Sequence, residues 1–451
     1  MSPVTPSLSS SSFAFKAALF GTLVAAYPGM LCAAGLDRNG VGAQSAGVAG
    51  ASVANTDDAV SSMALNPSAL GFADAMDLYL SGTGVSGSGK FEDQFGTRAK
   101  MSEQWRFLPD LVFRAPVAKD VTLGFSVIPD SSRIADWDFV DPPGGAGGKT
   151  SYGFQRHDSE IENVRAALGV GWRISDEFSV GASIGGVYDR NELDVPYIFQ
   201  SHPVLAGMKT LLEMETDGLG VNGDIGITWK PIKMLSFGLS YRTPTRFDTS
   251  GSAVGDIGAQ LRSLGLAGVP SKFYYDADIV TKLPQKISFG PSWQATDHLR
   301  LSAQVDWINW SQAFDTLNVH LSNGSNPAIN SLLASNGIND SIALKWRDQF
   351  VYRAGVEYSL TPQWVLRAGY AHGNTPVPDS TLLPMTAAIT EDTLAAGIGY
   401  VGTSFRIDLS YQRDLNASQF ASGSDITGTE YKNSSVTVGA NWLALTLGFK
   451  F

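Results

Sequence analysis

Residues 299–307 read Leu-Arg-Leu-Ser-Ala-Gln-Val-Asp-Trp, an alternation of apolar and polar side chains. Because successive side chains of a β-strand point to opposite faces, this pattern predicts a strand with one apolar and one polar face. The same alternation occurs at residues 178–184, 235–241, 364–370 and 405–411. A β-sandwich core produces it, and so does a membrane barrel whose apolar side chains face lipid and whose polar ones face the lumen.

The segments between the alternating stretches fall into two classes of length. Six are short turns, at residues 116–120, 173–177, 230–234, 294–298, 359–363 and 402–404. Seven are long, at about 91–108, 131–158, 191–217, 250–275, 322–345, 376–390 and 417–430. Short and long segments alternate, so they join fourteen strands and leave every long loop on one side. This asymmetry is typical of outer-membrane barrels, and we predict an all-β fold, a 14-stranded antiparallel transmembrane β-barrel over residues 73–451.

The chain ends on an alternating segment, because residues 445–451 read Leu-Thr-Leu-Gly-Phe-Lys-Phe. Outer-membrane barrels present a terminal aromatic strand to their assembly machinery. We therefore predict that Phe451 contacts the barrel-assembly machinery, although an ordinary edge strand would give the same pattern.

The first 34 residues read as a secretory signal peptide, with a lone lysine, an apolar run at 17–26 and small residues before a cleavage site after Ala34. That run is shorter than the roughly 20 residues needed to span a bilayer. Cys32 is the only cysteine and leaves with this leader. The mature chain then has no disulfide and no thiolate metal site.

Composition narrows the functional class. The formal net charge is −11, which argues against a nucleic-acid partner. Only 17% of residues are charged and 48 are glycine, yet the mature chain has no long apolar run. A membrane-spanning protein of this kind requires a closed barrel. We expect no cofactor.

Residues 35–72 lack strand alternation and are rich in glycine, alanine and serine. Asp57 and Asp58 precede a predicted short helix at 59–65, since acidic residues favour a helix N-terminus. Asn66 followed by Pro67 reads as a helix cap with proline in the first turn. The segment is either a small N-terminal hatch inside the barrel lumen or a disordered leader.

Several motifs resemble the FadL family of outer-membrane transporters of long-chain fatty acids and aromatic hydrocarbons. The hatch motif of that family is matched by Gly42 to Gly47 and by Asn66, Pro67 and Ser68, where serine replaces the usual alanine. Further matches follow in the family's order, at residues 241–244, 283–284, 307–311, 346–348, 367–370 and 375–379. Together these matches cover nearly the whole mature chain.

The resemblance implies a fourteen-stranded barrel with a hatch in its lumen and passive uptake of hydrophobic small molecules. It implies capture of substrate among the extracellular loops, movement to a deeper pocket, and lateral release through a kink in the third strand. Pro129 is our candidate for that kink, because proline cannot donate a ladder hydrogen bond. A proline at the loop end of an ordinary strand is the alternative.

Five residues are our candidates for substrate binding. Leu205, Met208, Leu211 and Leu212 have nearly helical spacing, so we predict a short apolar helix that borders a capture groove or simply covers the barrel mouth. Arg347 occupies the basic position of the family's Trp-basic-Asp stretch. Its guanidinium could hold a substrate carboxylate or pair with an acidic neighbour.

Charged residues on the polar face of the strands are predicted to be solvated or mutually paired in the lumen. They are Arg242, Arg300, Asp306, Arg367, Arg406 and Asp408. The five histidines have no metal-ligand spacing and lie mostly in predicted loops or turns. We therefore predict a transporter and not an enzyme.

The predicted location is the Gram-negative outer membrane, with outer-membrane lipid, lipopolysaccharide and hydrophobic substrate as partners of a monomer. A general porin and a barrel enzyme are the alternatives. A TonB-dependent receptor has a larger plug and 22 strands, which do not fit this chain.

Overall fold

The computed structural model describes residues 35–103, 105–266, 268–428 and 430–451. The predicted signal peptide at residues 1–34 lies outside these ranges. No helix in the described part of the chain is long and apolar enough to cross a membrane.

The sheet is a closed barrel of fourteen antiparallel strands, as predicted from the sequence. Four of these strands are interrupted, and a short segment, Arg98–Lys100, pairs with the end of the first strand. The strands are β1 Asp77–Glu92, β2 Trp105–Ala118, β3 Val121–Val140, β4 Phe154–Arg173, β5 Phe178–Ile198, β6 Lys209–Ile232, β7 Leu235–Arg242 with Thr245–Asp256, β8 Lys272–Leu283 with Lys286–Gln294, β9 Leu299–Ile308 with Thr316–Ser322, β10 Ile338–Ala343 with Gln349–Ser359, β11 Trp364–Gly373, β12 Asp392–Val401, β13 Phe405–Ala421 and β14 Ser434–Lys450.

Closure of the barrel joins its first and last strands. β1 pairs with β14 from Asp77 opposite Lys450 to Glu92 opposite Ser435. A closed sheet pairs every strand on both sides, so its backbone groups need no hydrogen bonds from lipid. Large apolar side chains such as Leu168, Ile184 and Leu219 are exposed on the outer surface, as expected for a lipid-facing wall.

The six predicted turns are confirmed, and seven longer connections alternate with them. Six of the seven long connections are shorter than predicted, because their strands continue beyond the expected loop boundaries, whereas the connection between β11 and β12 spans 374–391 and is slightly longer than the predicted 376–390. β5, for example, extends to Ile198, and β6 begins at Lys209. The loop between them therefore consists of residues 199–208, whereas we predicted a loop over 191–217.

The prediction of a short apolar helix with Leu205, Met208, Leu211 and Leu212 is wrong. Residues 203–207 form turns and β6 begins at Lys209, so Leu211 and Leu212 lie on a strand. Here Leu212 is buried while Glu213 is exposed, whereas further along the same strand Leu219 is exposed and Asp224 is buried. The apolar face therefore changes from inward to outward along β6, because the outer part of the strand projects beyond the lipid.

Residues before β1 form three short helices. They are α1 Gly42–Gly47, α2 Ala59–Ala64 and a 3-10 helix Pro67–Phe72. The Asp58 carboxylate accepts from the N–H groups of Val60 and Ser61 and caps α2, as its position in the sequence predicted. We call residues 36–72 the hatch segment.

The remaining helices lie in the long connections or interrupt a strand. They are α3 Gly258–Ser263, α4 Trp310–Ala313, α5 Pro327–Leu333 and a 3-10 turn, Pro384–Thr386. The expectation that most histidines lie in loops is wrong, since His157, His320 and His372 are on strands.

Candidate functional site: a hatch, a cavity and a wall opening

The hatch segment lies inside the barrel, against strand positions that have no side chain. A Cβ added at Gly369 of β11 would lie 2.3 Å from the carbonyl carbon of Val48. A Cβ at Gly181 of β5 would lie 2.3 Å from the carbonyl carbon of Pro67. Glycines on the polar face of the strands therefore make room for the hatch backbone.

Side chains of the barrel wall also hydrogen-bond to the hatch backbone. The Gln304 Oε1 atom accepts from the N–H groups of Ser52 (3.0 Å) and Val53 (2.9 Å). The Gln412 side-chain amide donates to the carbonyl oxygens of Asn39 (2.6 Å) and Ala46 (2.9 Å). The wall thus supplies hydrogen-bond partners to buried hatch backbone that water does not reach.

The hatch motif residues fasten the end of this segment. Asn66 caps the 3-10 helix by accepting from the Ser68 N–H group (3.2 Å) and hydroxyl (2.6 Å), and Pro67 occupies its first turn. The Ser68 hydroxyl also lies 2.7 Å from the hydroxyl of Thr228 on β6. The residue that departs from the family pattern therefore makes a contact that alanine would not.

Ion pairs line the lumen around the hatch. The six predicted lumen charges are all paired: Arg242 with Asp224 and Asp130, Arg300 with Asp57 and Glu357, Asp306 with Arg353, Arg367 with Glu357 and Asp408, and Arg406 with Asp408. The prediction of a mutually paired interior is confirmed.

Asp37, at the start of the hatch segment, pairs with Lys286 at 2.6 Å. Burial by itself would raise the pKa of Asp37, but Lys286, with smaller contributions from Arg242 and Arg353, holds this pKa below its ordinary value. The carboxylate is therefore ionised at neutral pH and ties this end of the hatch to β8.

A large, mainly apolar cavity lies between the hatch and the outer loops. Its empty volume is about 1810 Å³, including space open to solvent. Leu36 of the hatch segment lines it, together with strand and loop side chains that include Leu193, Met214, Phe247, Ile279 and Trp346. Apolar walls with few polar groups are the usual lining of a site for a hydrophobic small molecule.

The predicted binding residues lie beside this cavity and not in its lining. Leu205, Met208 and Leu212 pack into a neighbouring apolar cluster under the outer loops, with Phe199 and Leu261. Leu211 is half-buried, and strand alternation places it on the opposite face from Leu212.

Arg347 is exposed, and its backbone N–H group donates to the Pro376 carbonyl oxygen (2.8 Å). The adjacent Trp346 lines the cavity, whereas Arg347 does not. Arg347, like the four apolar candidates, therefore lies outside the cavity lining.

The wall has an opening between β2 and β3. Among the described residues, the ladder between these strands ends at Leu111 opposite Val127. β2 nevertheless continues to pair with β1 as far as Trp105, and β3 continues to pair with β4 to its end. Towards the outer loops, an isolated antiparallel β-bridge between Met101 and Trp137 ends the opening. We call this opening the β2–β3 window.

Pro129 lies at the edge of the window, within an irregularity of β3. It is opposite Val164 on β4, and Ser131 is opposite the next residue, Asn163, so Asp130 is an extra residue. An extra residue of this kind bends a strand. The kink proposed for Pro129 thus coincides with a bulge in the third strand.

Sequence reasoning missed Arg38, which spans the window from inside. Its Nη1 atom donates to Asp110 Oδ1 on β2 (2.7 Å) and to the Pro129 carbonyl oxygen on β3 (3.0 Å). Its Nη2 atom donates to the hydroxyl of Thr83 on β1 (2.9 Å). A lone arginine in an irregular segment has no periodic signal, so the sequence offered no pattern that pointed to it.

A family model describing outer membrane protein transport proteins (OMPP1/FadL/TodX) matches residues 23–451. The chain belongs to this family. The chain is similar to a long-chain fatty acid transport protein of Escherichia coli, 21% identical over 336 residues that cover 67% of each chain. The match to that protein from another Escherichia coli strain spans 61% of its length. Family membership and the barrel place the protein in the Gram-negative outer membrane.

Solved structures of other proteins share the fold of this chain. The toluene transporter TodX of Pseudomonas putida superposes with a TM-score of 0.74 at 18% identity, covering 92% of this chain and 99% of that one. A FadL homologue of Pseudomonas aeruginosa gives 0.72 at 18% identity, covering 93% and 100%. At such identity the likeness concerns the fold.

Proposed function

We propose that the protein carries hydrophobic small molecules passively across the outer membrane and releases them sideways into the lipid. The apolar cavity between the hatch and the outer loops carries this proposal. Relatives named for long-chain fatty acid and toluene transport support a hydrophobic substrate, which prefers an apolar wall to water.

Capture begins at the outer loops in this proposal. The apolar cluster with Leu205, Met208 and Leu212 lies under these loops, and Met214 belongs to its margin and to the cavity lining. A hydrophobic molecule that reaches the cluster can therefore pass to the cavity along a continuous apolar surface.

The route to the window passes Leu36. This residue lines the large cavity and also a second, smaller cavity whose wall includes Asp130 of the β3 bulge. Arg38, two residues later, connects the two edges of the window. Displacement of residues 36–38 would therefore join the cavity to the window and to the surrounding lipid, where Trp105 and Phe107 are exposed.

Lateral release of this kind never places a hydrophobic molecule in the aqueous periplasm. The hatch segment closes the direct route along the barrel axis through its contacts with the wall. We therefore favour release into lipid over the open pore of a general porin.

Deletion of Asp130 tests lateral release. The extra residue belongs to the β3–β4 ladder, where it bends β3. Without it we expect β3 to straighten towards β2 and the window to narrow. Entry of the fluorescent apolar probe N-phenylnaphthylamine into cell membranes should then fall to the rate of cells that lack the protein.

Asp130→Ala is the matched control. It keeps the bulge and removes only the carboxylate that lies 3.2 Å from Arg242, so we expect uptake close to the wild-type rate. Wild-type uptake by the folded deletion variant would show that substrate leaves by another route.

A further inference from the structure

The charged residues that line the apolar cavity are mostly acidic. They are Glu160, Asp189, Glu192, Lys282 and Glu430. Strand alternation separates them, because Asp189 shares the inward face of β5 with Leu193, whereas Glu192 points to the outer face. By the same alternation Lys282 lies on the opposite face of β8 from Ile279 and Thr281.

Asp189 is a buried acid in the cavity wall, and three side-chain donors favour its charged form. It is 1% exposed. Its carboxylate accepts from the side-chain amides of Asn163 and Asn191 (2.7 Å for Asn191) and from the Thr281 hydroxyl (2.9 Å). Three donors from three strand positions hold the charge in place.

Glu160 has the opposite strand parity from Asn163 on β4 and so lies on the other face of that strand. Glu430, unlike Asp189, is balanced by a cation. Lys209 has no exposed side-chain surface and lies 3.4 Å from Glu430 and 2.6 Å from Asp141. Its ammonium also donates to the Pro142 carbonyl oxygen (2.7 Å). The Lys209 ammonium is therefore already paired with these groups and is not a partner for Asp189.

A carboxylate that enters an apolar cavity loses water and needs a cation or several donors in exchange. Here it would meet the negative charge of Asp189, and like charges repel strongly where the dielectric constant is low. We propose that the cavity accepts uncharged hydrophobic molecules in preference to carboxylates, and that Asp189 sets this preference. The proposal rests on the transport function proposed above.

Competition between dodecanol and dodecanoate tests the preference. The full mature protein in lipid nanodiscs is loaded with N-phenylnaphthylamine, and each ligand displaces the probe at about pH 8, where carboxyl groups are ionised. We expect dodecanol to displace the probe from the wild type at a concentration lower by at least about tenfold.

Asp189→Asn keeps the shape of the side chain and removes its charge. We expect this variant to narrow the ratio between the two ligands by about tenfold. Asp278→Asn, on the exposed face of β8, is the matched control and should keep the wild-type ratio. Partition into nanodisc lipid is the same for all three proteins, so it cancels in the comparison.

Each outcome separates the two proposals. Equal displacement by both ligands, or an unchanged ratio in folded Asp189→Asn, would overturn the charge preference and leave the transport function standing. Failure of both ligands to displace the probe from the wild type would contradict both.

Discussion

Arg353 illustrates how single residues make the lumen stable. Its Nε atom donates to Asp306 (2.7 Å), and its Nη1 atom donates to the Asn39 side chain (2.7 Å) and to the Ala49 carbonyl oxygen (2.9 Å). One buried guanidinium thus pairs with the wall and holds two points of the hatch. A buried pair with further hydrogen bonds offsets the cost of removing both charges from water.

Replacement of Arg353 by Met should destabilise the protein. It leaves the buried Asp306 carboxylate with the Gln304 amide, and the loss of one partner from a buried pair costs about 3–5 kcal/mol. Equilibrium unfolding in urea, followed by tryptophan fluorescence in lipid, measures the change.

Arg246→Met is the comparison for this measurement, because Arg246 pairs with Asp248 on the exposed surface. Exposed pairs contribute little, so we expect almost no change. Equal losses of stability in the two variants would contradict the role given to Arg353.

The sequence indicated which charges point inward, but it did not identify the partner of each charge. Alternation identified Arg300, Arg367 and Asp408 as inward charges that pair, which the structure confirms. Some partners are distant along the chain, since 72 residues separate Arg38 from Asp110. No local pattern encodes such a pair.

At the scale of elements, strand polarity records the position of the membrane. The outer parts of β5 and β6 have an apolar inner face and a charged outer face, with Glu192 and Glu215 outside. Predicting strands from an apolar outer face therefore succeeded for the parts of β5 and β6 within the lipid and failed for the parts that project beyond it. The apolar spacing at 205–212 was misread as helical because a turn and a strand together imitate that spacing.

The hatch and the wall are complementary elements, and Gly369 tests this relation. Gly369→Val would place side-chain atoms within 2.3 Å of the Val48 backbone, so the hatch has to move. We expect higher ion conductance in planar bilayers than for the wild type.

Gly186→Val on β5 is the control for Gly369→Val, since a Cβ there meets nothing within 4 Å. It should conduct as the wild type does. Wild-type conductance of Gly369→Val would mean that the hatch tolerates the added side chain and does not depend on close contact with β11.

At the scale of the whole molecule, the proposed function makes the hatch, cavity and window one path from the outer loops to the lipid once residues 36–38 are displaced. The strand number and the barrel were predictable because alternation and loop length repeat along the chain. The residues that line the cavity were not predictable, since they come from strands and loops far apart in sequence. A closed barrel has no free strand edge. The monomeric state and the contact of Phe451 with the barrel-assembly machinery stay predictions.

Passive uptake of an apolar molecule is the central claim, and one rate measures it most directly. Cells that lack their own hydrophobic-substrate channels are compared with and without this protein, in the presence of a protonmotive uncoupler, for the rate of N-phenylnaphthylamine fluorescence increase. We predict a faster increase in cells that make the protein, unaffected by the uncoupler. Equal rates in both cells, or a gain abolished by the uncoupler, would contradict the account.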